Sequence, residues 1–157
     1  MATLIAYATK HGCTEKCAKE LQKQLGKAEL WNLKNGEPDL SKYDTVILGA
    51  SVYAGMPRKP IKSFAQKHGA ELAKKKLGLF LCCMADGEQE KKQMAAAYSE
   101  ELRSAARAQG VLGGGFILSD MGGFEKFVVE KVSGKKAEDG FTVRKDIMGE
   151  FVKAFGQ

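Results

Sequence analysis

Two short, almost uninterrupted apolar runs constrain the fold of this chain most strongly. One covers residues 45–50 and the other residues 77–82, and neither alternates apolar with polar positions as a half-exposed strand would. Strands that are apolar on both faces are typical of a parallel sheet covered by helices on its two sides. The two runs therefore predict central strands of an α/β fold.

The other segments alternate between strand-like and helix-like patterns along the chain. Further strands are predicted over residues 3–7, 28–33 and 114–118. Helices are predicted where apolar residues recur at the spacing of one helix face, over residues 14–25, 61–68, 88–109, 124–132 and 147–155. Residues 133–141 are polar and predict a loop. This alternation predicts a parallel sheet in a single domain that covers residues 1–157.

The charge of the chain limits its partners. Its 157 residues carry a formal net charge of +6 at pH 7. The lysines are spread over most of the predicted helices, and the short clusters at residues 74–76 and 135–136 contain no interleaved aromatic residue. We interpret them as solvated helix faces, with no nucleic-acid partner, and a preference for acidic partners is the alternative.

The chain offers no segment for crossing a membrane. Its longest weakly polar stretch, residues 45–56, is far shorter than the roughly 20 residues that a spanning helix needs. The first residues carry no basic segment of the kind that begins a signal peptide. We therefore expect a cytoplasmic protein, for which peripheral membrane contact stays open.

Four cysteines stand in two pairs, Cys13 with Cys17 and Cys82 with Cys83. The first pair has the spacing of one helical turn, which also suits a metal, but no pair of histidines completes a metal site. In a chain with no export signal we interpret all four as reduced structural thiols and expect no bound metal.

The turn after the first predicted strand has the character of an anion-binding loop. Thr9, Lys10, His11, Gly12, Cys13 and Thr14 follow that strand and run directly into a helix. Two hydroxyls, a glycine and the backbone N–H groups of a helix N-terminus suit a phosphate. The alternative is an ordinary strand-to-helix turn with Thr14 as the N-cap.

Two further loops follow the third and fourth predicted strands and meet the same sheet edge. The first contains Ser51, Val52, Tyr53, Ala54 and Gly55, and the second Cys83, Met84, Ala85, Asp86 and Gly87. A phosphate loop beside two apolar or aromatic loops suits a ligand with a phosphate at one end and a flat ring at the other. Tyr53 would stack on that ring and Gly55 would let the backbone approach it. The alternative for Tyr53 is a half-buried loop aromatic.

These stretches resemble a known family. Residues 5–14, with Ala18 and Leu21 on the following helix, resemble the N-terminal signature of flavodoxins. Residues 43–51 resemble the family's central strand and the start of its second flavin loop. The resemblance implies a doubly wound, five-stranded parallel sheet in the order 2-1-3-4-5, with helices on both faces.

The resemblance also implies FMN as a noncovalent cofactor. The phosphate would lie on residues 9–14, and the ring system would lie between the loops of residues 51–56 and 82–87. Ala50 joins the set because it ends the third predicted strand. No side chain stands out as a general acid or base, so we name no catalytic residue.

Within the flavodoxins the chain is most similar to the menaquinone-dependent protoporphyrinogen oxidase branch. Residues 49–55 resemble the flavin loop of that branch, and residues 124–151 resemble its closing segments. Residues 119–123 depart from it, because the branch carries a longer segment there, rich in Arg, Tyr and Trp. Two functions follow: an electron carrier that docks on a redox partner protein, and a quinone-dependent oxidase of protoporphyrinogen.

Overall fold

A computed structural model of the chain describes residues 2–8, 13–53, 56–57, 59–82, 87–114 and 142–155. Its strands are β1 (Ala2–Ala8), β2 (Glu29–Asn32), β3 (Tyr43–Tyr53), β4 (Met56–Pro57), β5 (Lys76–Cys82), β6 (Ala108–Gly114) and β7 (Thr142–Val143). Its helices are α1 (Cys13–Leu25), α2 (Lys59–Lys67), α3 (Gly69–Ala73), α4 (Gly87–Ala97), α5 (Glu100–Ala105) and α6 (Lys145–Lys153). Short 3₁₀ turns cover Leu33–Asn35 and Leu40–Lys42.

The strands form one sheet in the order β2-β1-β3-β5-β6-β7. The first five of these run parallel, whereas β7 pairs antiparallel with β6 at the edge, and β4 pairs antiparallel with β3. Counted along the chain, the five parallel strands have the order 2-1-3-4-5, which confirms the predicted fold. The order reverses between β1 and β3, and ligands of open α/β sheets bind at such a switch point.

The core lies in two layers, one on each face of the sheet. On one face, α2 to α5 contribute the buried residues Ile61, Phe64, Leu72, Met94 and Leu102. On the other face, α1 and α6 contribute the buried residues Cys17, Ala18, Leu21, Met148, Phe151 and Val152. Side chains of β5 alternate between the two layers, and every residue from 77 to 82 is buried. This confirms that the apolar runs are strands covered on both sides.

The structure corrects the predicted helix over residues 88–109, which is two helices followed by a strand. The break comes at Ser99, whose hydroxyl accepts a hydrogen bond from the backbone N–H of Leu102 at 3.2 Å and so begins α5 as an N-cap. After α5, the backbone N–H of Arg107 donates to the carbonyl of Leu77 at 2.7 Å. That bond joins the chain to β5 two residues before the predicted helix would have ended.

The fifth parallel strand therefore begins six residues earlier than the sequence pattern indicated, at Ala108 instead of Gly114. Val111 and Leu112 are fully buried on opposite faces of the sheet, so they supply the apolar content of this strand. The rest of the predicted strand, residues 115–118, lies outside the described residues. So do the predicted helix over 124–132 and the predicted loop over 133–141.

Several element ends agree with the local signals in the sequence. Helix α1 ends at Leu25, and the following Gly26 has a φ of 85°, the left-handed conformation that glycine adopts most readily at a helix end. Helix α2 covers the predicted apolar face of the segment after Pro57, with Ile61 and Phe64 buried. Among the described residues, no helix is long and apolar enough to cross a membrane.

Gly49 is required by the ring of Phe80 on the neighbouring strand. A Cβ added at Gly49 would lie 2.0 Å from Cζ of Phe80. Phe80 is fully buried and packs edge-on against Phe151 of α6, with ring centroids 6.4 Å apart, so its ring has little room to move. We expect Gly49→Ala to lower the free energy of unfolding by about 3 kcal/mol, measured by urea denaturation.

Gly149→Ala is the matched control, because a Cβ at Gly149 in α6 would meet no atom within 4 Å. It should leave stability unchanged or raise it by roughly 0.5–1 kcal/mol, since alanine favours a helix over glycine. Adding Phe80→Leu to Gly49→Ala should recover part of the loss. A Gly49→Ala protein as stable as the control would contradict the proposed clash.

Candidate functional site

The carboxyl ends of three neighbouring strands meet at one edge of the sheet. Ala8, the last residue of β1, pairs with Ala50 of β3. The next residue along β3, Ser51, pairs with Cys82, the last residue of β5. Helix α1 begins at the same edge, because it follows β1 directly along the chain. The described part of the candidate site is therefore the set of residues that surround this edge.

Thr14 is the most deeply buried polar residue that the structure describes at this edge. Its side chain is fully buried, and its hydroxyl Oγ1 has no hydrogen-bond partner among the described residues. Because α1 begins at Cys13, Thr14 lies inside the first turn of the helix and does not act as the N-cap that the ordinary-turn alternative required. The hydroxyl is thus left beside backbone N–H groups that have no acceptor within the helix.

Ser51 presents a second hydroxyl of the same kind. It is 8% exposed, and its Oγ also has no hydrogen-bond partner among the described residues. A third atom in this condition is Oε1 of the half-buried Gln93 on α4. Leaving a buried hydroxyl unpaired costs about 1–3 kcal/mol. Two such groups at the carboxyl edge, on the elements that flank the switch point, therefore fit a ligand that accepts hydrogen bonds.

Three residues predicted to lie in the loop after the third strand are instead part of that strand. β3 continues through Ser51 to Tyr53 and turns back as a short hairpin, with Val52 opposite Pro57 and Tyr53 opposite Met56. The apolar run ends at Ala50, so its pattern carries no signal for the three added strand residues or for their pairing with β4. Antiparallel pairing with β4 stabilises this extension beyond the parallel ladder.

Three of the remaining predicted site residues are described, one at the end of a strand ladder and two at helix starts, and the others are not. Ala50 is fully buried at the end of the β1–β3 ladder, and Gly87 is the first residue of α4. Cys13 is the first residue of α1. The rest lie outside the described residues, namely Thr9, Lys10, His11, Gly12, Ala54, Gly55, Cys83, Met84, Ala85 and Asp86.

Tyr7 links the end of β1 to the first turn of α1, a contact that the sequence did not reveal. Its hydroxyl donates to the carboxylate of Glu15, and burial, followed by the charge and the hydrogen bond of Glu15, raises the pKa of Tyr7 above its ordinary value. Glu15 also pairs with Lys19 on the same helix, at 3.3 Å between Nζ and Oε1. The interaction of Tyr7 with Glu15 therefore connects β1 with the first turn of α1, whereas the pair of Glu15 with Lys19 lies within the helix.

The structure also brings together two cysteines that the sequence assigned to different pairs. Sγ of Cys17 in α1 lies 2.8 Å from Sγ of Cys82 at the end of β5, and both side chains are buried. Helical spacing indicates that Cys13 and Cys17 share one helix, but it carries no information about a contact with a residue 65 positions away. Among the residues that the structure describes, no three His, Cys, Asp or Glu side chains form a group that would hold a metal ion.

A family model for the flavodoxin domain matches residues 4–142. The chain therefore belongs to the flavodoxin domain family, and this membership supports FMN as its cofactor. A search of curated proteins gives no significant match.

Solved structures of flavodoxins share the fold. Oxidised Flavodoxin 2 from Bacillus cereus is 20% identical, with a TM-score of 0.62 over 99% of this chain and 98% of that one. Oxidised Flavodoxin 1 from the same organism is 18% identical, with a TM-score of 0.60 over 99% and 97%. A flavodoxin from the domain Archaea is 14% identical, with a TM-score of 0.55 over 71% and 83%. At these identities the likeness shows the fold.

Removing the hydroxyl of Thr14 should stabilise the protein in the absence of a ligand. Valine keeps the branched shape of threonine, so Thr14→Val removes a buried unpaired hydroxyl with little change in packing. We expect the free energy of unfolding to rise by about 1 kcal/mol in urea denaturation without added FMN. The matched control is Thr45→Val in β3. Thr45 is also buried, but its hydroxyl is not among the buried atoms that lack a hydrogen-bond partner. A loss of stability in Thr14→Val would show that Oγ1 has a protein partner.

Proposed function

We propose that this protein is an FMN-binding flavoprotein that transfers electrons, with the cofactor at the carboxyl edge of the sheet. The observation that carries the proposal is the pair of buried hydroxyls of Thr14 and Ser51, beside the switch between β1 and β3, which find no hydrogen-bond partner in the part of the chain that the structure describes. Flavodoxin domain membership supports FMN as the group that would pair with them. FMN supplies the redox chemistry when bound, and the chain supplies its binding and orientation.

The phosphate of FMN is the part that suits Thr14. Helix α1 contains 13 residues, and its first turn directs backbone N–H groups and the positive end of the helix dipole toward the end of β1. The hydroxyl of Thr14 adds a donor beside them. The first turn also carries Glu15, which interacts with Tyr7 near the end of β1. A phosphate at this place receives charge-assisted hydrogen bonds, which are the stronger kind.

The ring system would lie between the chain that follows β3 and the chain that follows β5. Ser51 lies near the end of β3 and Cys82 ends β5, and the two residues are in register on adjacent strands. Both faces of the sheet behind them are packed with apolar side chains, so water is excluded from that side of the site. Burial of this kind strengthens each hydrogen bond that the site makes.

FMN should bind at about one per chain and much more tightly than riboflavin, because riboflavin lacks the phosphate. Thr14→Val should weaken FMN binding at least tenfold, since a charge-assisted hydrogen bond contributes roughly 1.5–3 kcal/mol. Riboflavin affinity should stay unchanged in the same variant. Both affinities are measured by the quenching of flavin fluorescence.

The control for this titration is again Thr45→Val at the opposite end of β3, which should bind FMN like the original protein. Equal affinity for FMN and riboflavin in the original protein would contradict the phosphate site. An equal loss of affinity in Thr14→Val and Thr45→Val would assign the effect to general destabilisation.

We further propose that the electrons pass to or from a redox partner protein, so that the chain acts as a carrier. The alternative, quinone-dependent oxidation of protoporphyrinogen, rests on the resemblance of residues 49–55 and 124–151 to the branch with that activity. Against it, residues 119–123 are short and polar and contain no Arg, Tyr or Trp. Such a segment offers no aromatic, basic surface to a porphyrin.

An anaerobic assay with protoporphyrinogen and a menaquinone analogue distinguishes the two functions. We expect the FMN-loaded protein to oxidise protoporphyrinogen no faster than the same concentration of FMN alone. Quinone-dependent turnover at about ten per second, an ordinary enzyme rate, would establish the oxidase instead.

A further inference from the structure

We propose that Cys17 and Cys82 form a reversible disulfide that clamps helix α1 to strand β5. In the structure they are thiols, and Sγ of Cys82 lies 2.8 Å from Sγ of Cys17. A disulfide needs a separation of about 2.05 Å, so less than about 1 Å of movement would form the bond. The two residues are 65 positions apart along the chain, so their contact is made by the fold.

Both thiols are held in this contact by the packing around them. Cys17 is fully buried and Cys82 is 3% exposed, within the layer that α1 and α6 build over the sheet. Cys17 lies one helical turn after Thr14, and Cys82 is the last residue of β5. Neither the helix nor the central strand can move far without opening the core, so the packing keeps the two sulfurs close together.

Burial restricts the oxidant to a small molecule, and a hydroperoxide such as hydrogen peroxide has the size and the reactivity. The sulfur of Cys82, the more exposed of the two, attacks one peroxide oxygen; the O–O bond breaks, giving a sulfenic acid and one water. The sulfur of Cys17 then attacks the sulfenic sulfur, the S–S bond forms, and a second water leaves with the proton of Cys17. The two sulfurs give up two electrons, which reduce the peroxide to two molecules of water.

The bond would join two elements that frame the carboxyl edge of the sheet. Helix α1 carries Thr14, and β5 leads into the segment after residue 82. Closing a loop of this length also removes much of the freedom of the unfolded chain, which stabilises the folded state. Oxidation therefore makes the protein more resistant to heat, and a thiol reductant reverses the change.

The experiment uses the chain without FMN, so its result does not depend on the proposed function. The double variant Cys13→Ser/Cys83→Ser keeps only the pair in contact, and Cys17→Ser/Cys82→Ser keeps only the other two cysteines. Each is treated with hydrogen peroxide, unfolded in guanidinium chloride and alkylated, and its intact mass is measured with and without dithiothreitol.

We expect the Cys13→Ser/Cys83→Ser protein to lose two hydrogens and both alkylatable thiols, and to recover both thiols in dithiothreitol. Its melting temperature should rise by roughly 10 °C on oxidation. Cys17→Ser/Cys82→Ser should form no intramolecular disulfide under the same conditions.

Two results would overturn the proposal. One is a Cys13→Ser/Cys83→Ser protein that keeps both thiols or only gains oxygen atoms. The other is an intramolecular disulfide in Cys17→Ser/Cys82→Ser that forms as fast as the disulfide in Cys13→Ser/Cys83→Ser. If the serine variants fold poorly, fragmentation of the oxidised original protein decides the matter. There, a bond from Cys17 to Cys82 supports the proposal, and any other pairing rejects it.

Discussion

The burial of β3 and β5 on both faces is the constraint on which the rest of the structure depends. Every residue from 45 to 51 and from 77 to 82 is buried, so helices must cover both sides of the sheet. Parallel strands need crossover connections, and those connections place the starts of α1 and α4, which follow β1 and β5 along the chain, at the carboxyl edge of the sheet. Backbone donors and polar side chains therefore collect at that edge as a consequence of topology.

Two polar side chains away from the carboxyl edge pair with backbone carbonyls as they leave water. The hydroxyl of the fully buried Tyr98 donates to the carbonyls of Phe80 at 2.9 Å and Leu48 at 3.2 Å, and burial raises the pKa of Tyr98 well above its ordinary value. Lys75 likewise donates to two carbonyls, those of Leu40 and Tyr43. The hydroxyls of Thr14 and Ser51 differ from these groups, because they have no hydrogen-bond partner among the described residues, and the proposed ligand would pair with them.

The layer that contains α1 and α6 combines support for the site with redox chemistry of its own. Phe80 fills the space above Gly49 and packs on Phe151, while Cys17 of α1 meets Cys82 of β5 a short distance along the same face. The two contacts are made by opposite kinds of side chain, one rigid and apolar and the other reactive. Both contacts hold a helix against the central strand β5. A substitution in either one would therefore alter the packing of the elements that frame the carboxyl edge.

The sequence by itself determined the elements whose signals are local. Apolar runs marked β3 and β5, and Gly26 marked the end of α1, because each signal lies within or directly beside the element that it specifies. Only the tertiary structure placed β6, since the backbone N–H of Val111 donates to Glu90 of α4 and that of Arg107 to Leu77 of β5. It alone extended β3 into a hairpin and joined Cys17 to Cys82. These features depend on contacts between residues far apart in the chain. The spacing of residue types along the chain is local, so it cannot indicate which distant residues come into contact when two layers pack on one sheet.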